Sequence, residues 1–176
     1  IRDSPYCYHL PERGGTKAYI RQTQACVRQF KFVCRSDVNS YYANVNHCIL
    51  MRQLKQWIKN DTVLLLIERM LNRLDECNGK TYTIDRGLSK GNPLSPVLGA
   101  VYLYELDHRI GTYCRARGLF YRRYMDDWLI LCRTRHQLRD TVRIMNSVLQ
   151  SVKMQKHPFK TFIGRIQING FDFLGY

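Results

Sequence analysis

The chain has 176 residues, 45% of them hydrophobic, enough for one domain with its own core. Twenty-eight Lys and Arg stand against 14 Asp and Glu, a formal charge of +14; beyond a merely solvated basic surface, such an excess points to a polyanion such as nucleic acid. No run approaches the ~18 apolar residues of a membrane span, the N-terminus lacks a secretory-signal pattern, and the seven cysteines form no C-x₂₋₄-C pair, which argues against a zinc ribbon and a disulfide framework.

Free cysteines within apolar patterns act as small hydrophobes, and a reducing cytoplasm is the expected compartment. No partner membrane is expected. The five His are too scattered for a ligand cluster.

From Ile1 to about Thr16 the chain is irregular, punctuated by Pro5, Pro11, Gly14 and Gly15. Lys17 to Gln29 reads as a helix. Phe30, Phe32, Cys34 and Ser36 then alternate with Lys31, Val33, Arg35 and Asp37, a strand that ends on an acid. Asn46 or its neighbour caps a helix to about Ile58, and Asn60 or Asp61 caps the next. That second helix carries Val63, Leu66, Ile67, Met70, Leu71 and Leu74 at helical spacing and is expected to stop at Asn78-Gly79.

Thr81 to Asp85 reads as a short strand before a Gly-rich turn at Gly87 to Gly91. Leu94 to about Arg117 reads as one long helix whose apolar first half is buried. Leu119–Arg123 and Trp128–Cys132 are strand-like and flank Tyr124-Met125-Asp126-Asp127, an acidic hairpin tip. Leu138, Val142, Met145, Leu149 and Val152 mark a further amphipathic helix. The tail is expected to hold short strands at Thr161–Gly164, Arg165–Asn169 and Phe171–Tyr176. This order is α+β: an antiparallel sheet backed by helices.

Adjacent carboxylates at the end of apolar strands repel each other and call for a counter-charge, and a hard cation such as Mg²⁺ takes oxygen ligands and bridges phosphates. Should the strands of Asp37 and Asp126-Asp127 be neighbours, three carboxylates converge at one sheet edge. Nucleotidyl transfer uses such a set to hold two Mg²⁺ about 3.5–4 Å apart. Taken singly, Asp37 reads better as a turn or cap acid, and Asp126-Asp127 reads equally well as an ordinary hairpin turn.

Five segments in order carry a family resemblance: Arg35-Ser36-Asp37-Val38-Asn39-Ser40-Tyr41-Tyr42; Gly87-Leu88-Ser89-Lys90-Gly91-Asn92-Pro93-Leu94-Ser95-Pro96; Tyr124-Met125-Asp126-Asp127; His157-Pro158-Phe159-Lys160-Thr161; and Phe171-Asp172-Phe173-Leu174-Gly175-Tyr176. Together they resemble the palm motifs of reverse transcriptases, over about Gly14 to Tyr176. The Tyr102-Leu103-Tyr104-Glu105-Leu106-Asp107 stretch resembles the helix of bacterial retroelement and group II intron-type enzymes.

The resemblance implies a polymerase palm with the base of the fingers, in a single domain over 1–176 divided into a finger-base segment (1–30) and palm (31–176). Most of the fingers and the thumb are expected to lie outside it. The implied activity is RNA-directed DNA synthesis, with RNA template, DNA or RNA primer and dNTPs as partners and two Mg²⁺ (Mn²⁺ as substitute) as cofactor. Asp37, Asp126 and Asp127 would be catalytic metal ligands, joined by the Val38 carbonyl. Lys160 would be a general acid or a fixed positive charge beside pyrophosphate.

Tyr42 would be the steric gate against the ribose 2′-hydroxyl; otherwise it is a core aromatic beside Tyr41. Lys90 and Gly91 would contact the nucleotide, and Phe173, Leu174 and Gly175 would grip the primer. Of Arg122 and Arg123, one is expected to face nucleic-acid phosphates and the other solvent. Ser89-Lys90 stands where many family members have Pro-Gln, which leaves the role of Lys90 open. The alternatives are an RNA-directed RNA polymerase and a catalytically inactive, maturase-like RNA-binding palm. The Tyr42 aromatic and the Tyr-x-Asp-Asp turn favour the DNA product.

Overall fold

Four strands form an antiparallel sheet in the order β4-β5-β1-β6: Phe32–Asp37 (β1), Phe120–Tyr124 (β4), Asp127–Cys132 (β5) and Phe162–Arg165 (β6). The computed structural model describes residues 5–7, 15–72, 74–77 and 80–166. β1 and β5 are the inner strands, and residue alternation sorts their side chains onto two faces. Cys34, Ser36, Trp128, Ile130 and Cys132 face a large core together with Tyr121 of β4. Val33, Leu129 and Leu131 face a smaller cluster with Phe30 on the other side. Both faces are therefore apolar at the centre, so the simple inside–outside alternation expected of β1 is only partly seen.

Helices cover the first face: Tyr41–Asn44 (α2), His47–Trp57 (α3), Asp61–Leu71 (α4), Ser95–Tyr102 (α5), Tyr104–Ala116 (α6) and Arg135–Ser151 (α7). Gly15–Cys26 (α1) runs into a 3₁₀ turn at Val27–Gln29, and Cys26 and Val27 pack on the second cluster. The caps are local. The Asn46 side chain accepts from the Ile49 amide at 3.0 Å, and that of Asn60 from the Val63 amide at 3.1 Å. A reciprocal Thr134–Gln137 capping box, absent from the sequence reading, opens α7.

Three expectations need correction. The helix begun at Asp61 ends at Leu71, and Leu74–Cys77 (β2) pairs antiparallel with Lys80–Thr83 (β3). Asn-Gly stands between these strands in sequence, and that dipeptide is a stronger hairpin signal than helix stop. The buried stripe of α4 is Leu64 and Leu71, with Val63 and Leu66 exposed. The long helix at 94–117 is two helices, α5 and α6, joined at Leu103. The Gln53 side chain donates to the Tyr102 carbonyl at 3.2 Å, and the Leu106 amide bonds back only three residues, to Leu103 at 3.0 Å.

At the other end of the chain, Tyr6 and Cys7 lie along β4. The Arg123 amide donates to the Tyr6 carbonyl at 2.8 Å, and the Tyr6 ring lies 5.4 Å from that of Tyr121. The strands expected from Arg165 on fall outside the described residues, apart from Arg165, the last residue of β6, and Ile166, whose amide donates to the Lys31 carbonyl at 3.0 Å. The six cysteines whose side chains are described are free thiols, four of them buried. Burial pushes the Cys34 thiol up to about 12 and that of Cys132 to about 11. No helix among the described residues is long and apolar enough to cross a membrane.

Candidate active site

β1 delivers Asp37 at its C-terminal end, and the antiparallel register sets Asp127, the first residue of β5, directly opposite. Asp126 occupies the two-residue turn between β4 and β5, and its carbonyl accepts from the Val38 amide at 3.2 Å. Three carboxylates thus meet at one end of the sheet. Met125 adopts φ +54° while Asp126 stays out of the positive-φ region. That pattern suits a type II′ hairpin turn, where the first central position is normally Gly.

The strained turn is held from below. Arg123 is fully buried, and its Nη1 donates to the Met125 carbonyl at 2.5 Å. The same guanidinium donates from Nε to Asp107 Oδ1 at 2.8 Å and from Nη2 to Oδ2 at 2.6 Å. The Tyr121 hydroxyl donates to Asp107 Oδ1 at 2.6 Å. Arg123 therefore faces neither phosphate nor solvent, contrary to expectation. The signal was available: period-two alternation puts Arg123 on the same side of β4 as Tyr121. Asp107 was missed as a functional residue because α6 also carries the exposed Glu105, His108 and Arg109, and the sequence does not separate its buried acid from these. Arg122, on the other face, donates from Nε to Gln22 Oε1 at 3.4 Å and from Nη1 to the Tyr121 carbonyl at 2.7 Å.

Asp126 and Asp127 are compensated only in part. Burial, then the Asp37 charge, raises the Asp126 carboxyl above its usual range. Burial pushes Asp127 up to about 7; Arg35 opposes the shift, while Asp37 and Asp126 add to it. Among the described residues, Asp127 Oδ1 is buried without a hydrogen-bond partner. Asp37 has one: Lys160 Nζ lies 2.9 Å from its Oδ2.

That lysine comes from a turn pinned to the end of β1. The His157 amide donates to the Asp37 carbonyl at 2.7 Å, Thr161 Oγ1 donates to the His157 carbonyl at 2.8 Å, and Ser36 Oγ lies 2.8 Å from Thr161 Oγ1. The bond to Asp37 raises the Lys160 ammonium above its ordinary value, so it stays protonated.

Among the described residues, no three His, Cys, Asp or Glu side chains form a closed metal-ligating group. Asp37 is drawn to Lys160 instead. The donor set nevertheless fits a hard divalent cation: all its ligands are oxygen, burial and neighbouring negative charge raise two of its acids, and among the described residues one buried carboxylate oxygen is unpartnered.

The nucleotide-binding candidates sit beside this cluster. Tyr41 is buried and donates to the Gly99 carbonyl, whereas Tyr42 is half-buried. Burial, then the Asp126 charge, raises the Tyr42 phenol, so Tyr42 lies within electrostatic reach of the acids. The Gly-rich loop is tied to the same short helix. The Leu88 amide donates to the Tyr42 carbonyl and that of Gly87 to the Val45 carbonyl, each at 2.7 Å. Gly87 has φ +98°, and a Cβ there would lie 3.3 Å from the Ala43 carbonyl oxygen. His47, buried, is 2.7 Å from the Gly87 carbonyl through Nε2. Lys90 and Gly91 are exposed at the end of the loop. Phe173, Leu174 and Gly175 lie outside the described residues.

Solved structures share this fold. A telomerase from Candida albicans, in complex with the TWJ fragment of telomeric RNA, superposes with a TM-score of 0.74 at 13% identity, over 99% of this chain and 33% of that one. The corresponding Candida tropicalis telomerase complex gives 0.70 at 10% identity, over 97% and 32%. An apo Candida tropicalis telomerase truncated from its C-terminal domain gives 0.68 at 11%, over 91% and 36%. The chain spans about a third of the length of these structures, and the likeness carries the palm fold. The family model for reverse transcriptase (RNA-dependent DNA polymerase) matches residues 3–176, and the chain belongs to that family.

Proposed function

We propose that the chain forms the palm of an RNA-directed DNA polymerase, which joins dNTPs to a primer 3′-hydroxyl on an RNA template. One observation carries the reading: the register that sets Asp37 opposite Asp127 with Asp126 in the adjoining turn. Asp37, Asp126, Asp127 and the Val38 carbonyl would hold two Mg²⁺, or Mn²⁺ in their place. Bound there, the ions supply acidification of the attacking hydroxyl and charge neutralisation at the leaving pyrophosphate.

The protein's own residues do the rest by position and charge. Lys160 stays protonated on Asp37, which supports a fixed positive charge over a ready proton donor. The half-buried Tyr42, set apart from the buried Tyr41, would exclude a ribose 2′-hydroxyl. Lys90 and Gly91 would meet the incoming nucleotide, and Phe173, Leu174 and Gly175 the primer backbone. The net charge of +14 supports a nucleic-acid partner. The helix resemblance at Tyr102 to Asp107 supports a bacterial retroelement or group II intron-like type. The six free thiols support a cytoplasmic setting.

Primer extension by the full-length protein in four combinations tests this: RNA or DNA template, dNTPs or rNTPs. The expected result is Mg²⁺-dependent extension with dNTPs on RNA. Extension only with rNTPs would assign an RNA polymerase, and RNA binding without extension in any combination would assign an inactive scaffold.

A further inference from the structure

We propose that the buried pair of Arg123 and Asp107 is a positioning device for the acidic turn, acting through the Met125 carbonyl and touching no substrate. The inference rests on the polymerase reading of Asp126 and Asp127. Hairpin turn types I′ and II′ differ by a flip of the central peptide, here the Met125–Asp126 unit. The orientation of that peptide decides where the Asp126 amide and side chain point. With φ +54° at a non-glycine residue, the turn is not one that the local sequence prefers. The bond from Arg123 Nη1 to the Met125 carbonyl, at 2.5 Å, selects one of the two flips.

The guanidinium is itself immobilised. Its Nε and Nη2 engage both oxygens of Asp107, at 2.8 and 2.6 Å, leaving Nη1 aimed at the turn. Asp107 is fixed in turn by α6: its amide donates to the Leu103 carbonyl at 3.3 Å, and its flanking Leu106 and Ile110 are fully buried. A third contact, from the Tyr121 hydroxyl, locks the carboxylate from β4. The rigid core thus reaches the reactive end of the sheet through two side chains. A planar fork can hold a carboxylate with two donors while presenting a third, whereas a lysine ammonium reaches from a single point.

Two variants of the full-length protein test the role. Arg123→Lys keeps a charge against Asp107 but loses the fork; Arg123→Met with Asp107→Asn removes both charges, so no buried ion is left unpaired. Three quantities are read on folded protein: Mn²⁺ affinity by electron paramagnetic resonance, and kcat and KM for dNTP in primer extension. The expected result is a roughly 10- to 100-fold loss in Mn²⁺ affinity and in kcat in both variants, with KM for dNTP within about twofold. Mn²⁺ affinity and kcat per folded molecule equal to wild type in either variant would overturn the positioning role. Asp126→Asn is the reference: if it binds Mn²⁺ as wild type does, the metal reading itself fails, and the positioning role with it.

Discussion

At the scale of single residues, the site is a concentration of charge that the fold alone does not neutralise. The Asp127 carboxyl stands at about 7 because it is buried beside Asp37 and Asp126, and Arg35 offsets this only in part. A carboxyl whose folded pKa lies above its unfolded value costs nothing below the unfolded value, near 4. Its cost grows as pH rises through the window between the two, and is complete above about 7. Metal-free protein should therefore lose stability between about pH 4 and 7. Asp127→Asn should remove that loss, raising stability at pH 8 by on the order of 2 kcal/mol. Thermal unfolding against pH checks this; a variant as pH-sensitive as wild type would show that the acids are compensated in another way. Added Mg²⁺ should raise the wild-type Tm more at pH 8 than at pH 5.

Tyr42 makes a separate residue-scale prediction. With Tyr41 committed to the core, Tyr42→Ala should leave the fold intact and relax sugar choice. The ratio of dNTP to rNTP incorporation is expected to fall by about 10-fold or more. An unchanged ratio would remove the gate from Tyr42 and leave it an aromatic beside the acids. The resemblance names Tyr42 of the two adjacent tyrosines, and Tyr41 is the one that is buried.

At the scale of elements, the Gly-rich loop and α2 behave as one unit. The loop docks through two short backbone bonds, and Gly87 needs both its positive φ and the absence of a Cβ against the Ala43 carbonyl. Gly87→Ala should cost about 1–2 kcal/mol from the left-handed backbone and the tight contact together. It should also raise KM for dNTP, because the loop shifts against Tyr42. Urea unfolding and steady-state kinetics check both; an unchanged KM would separate the loop from nucleotide binding.

The elements also show what was legible. Helix caps at Asn46 and Asn60, the strand ending on Asp37 and the hairpin at Asp126 all follow from local chemistry, and the sequence displays them. The break at Leu103 does not, because its cause is tertiary: the Gln53 side chain, about fifty residues away, takes the Tyr102 carbonyl. The β2–β3 hairpin was legible and was misread, with Asn-Gly taken for a helix stop instead of a turn.

At the scale of the whole molecule, the sheet divides its labour by face and by end. One face carries the helical core, the other a smaller cluster, and the acids project at a single end where β1, the β4–β5 turn and the Lys160 turn meet. Alternation identifies strands but not their partners. The convergence of Asp37 with Asp126-Asp127 is therefore conditional in the sequence, and the pairing supplies the neighbouring strands it requires. Arg123 is the converse case: the pattern marked it as inward-facing, but its charge made an outward role seem natural. Only the position of Asp107 explains how an arginine can be fully buried there.

The most direct measurement is primer extension by the full-length protein, with Mg²⁺ and dNTPs, comparing wild type with Asp126→Asn. The account predicts at least a 10³-fold fall in kcat, on the order expected when a catalytic metal ligand is lost, in a variant that still folds and binds RNA. Equal extension by the two proteins would contradict it, and the three acids would then be a structural turn and no catalytic centre.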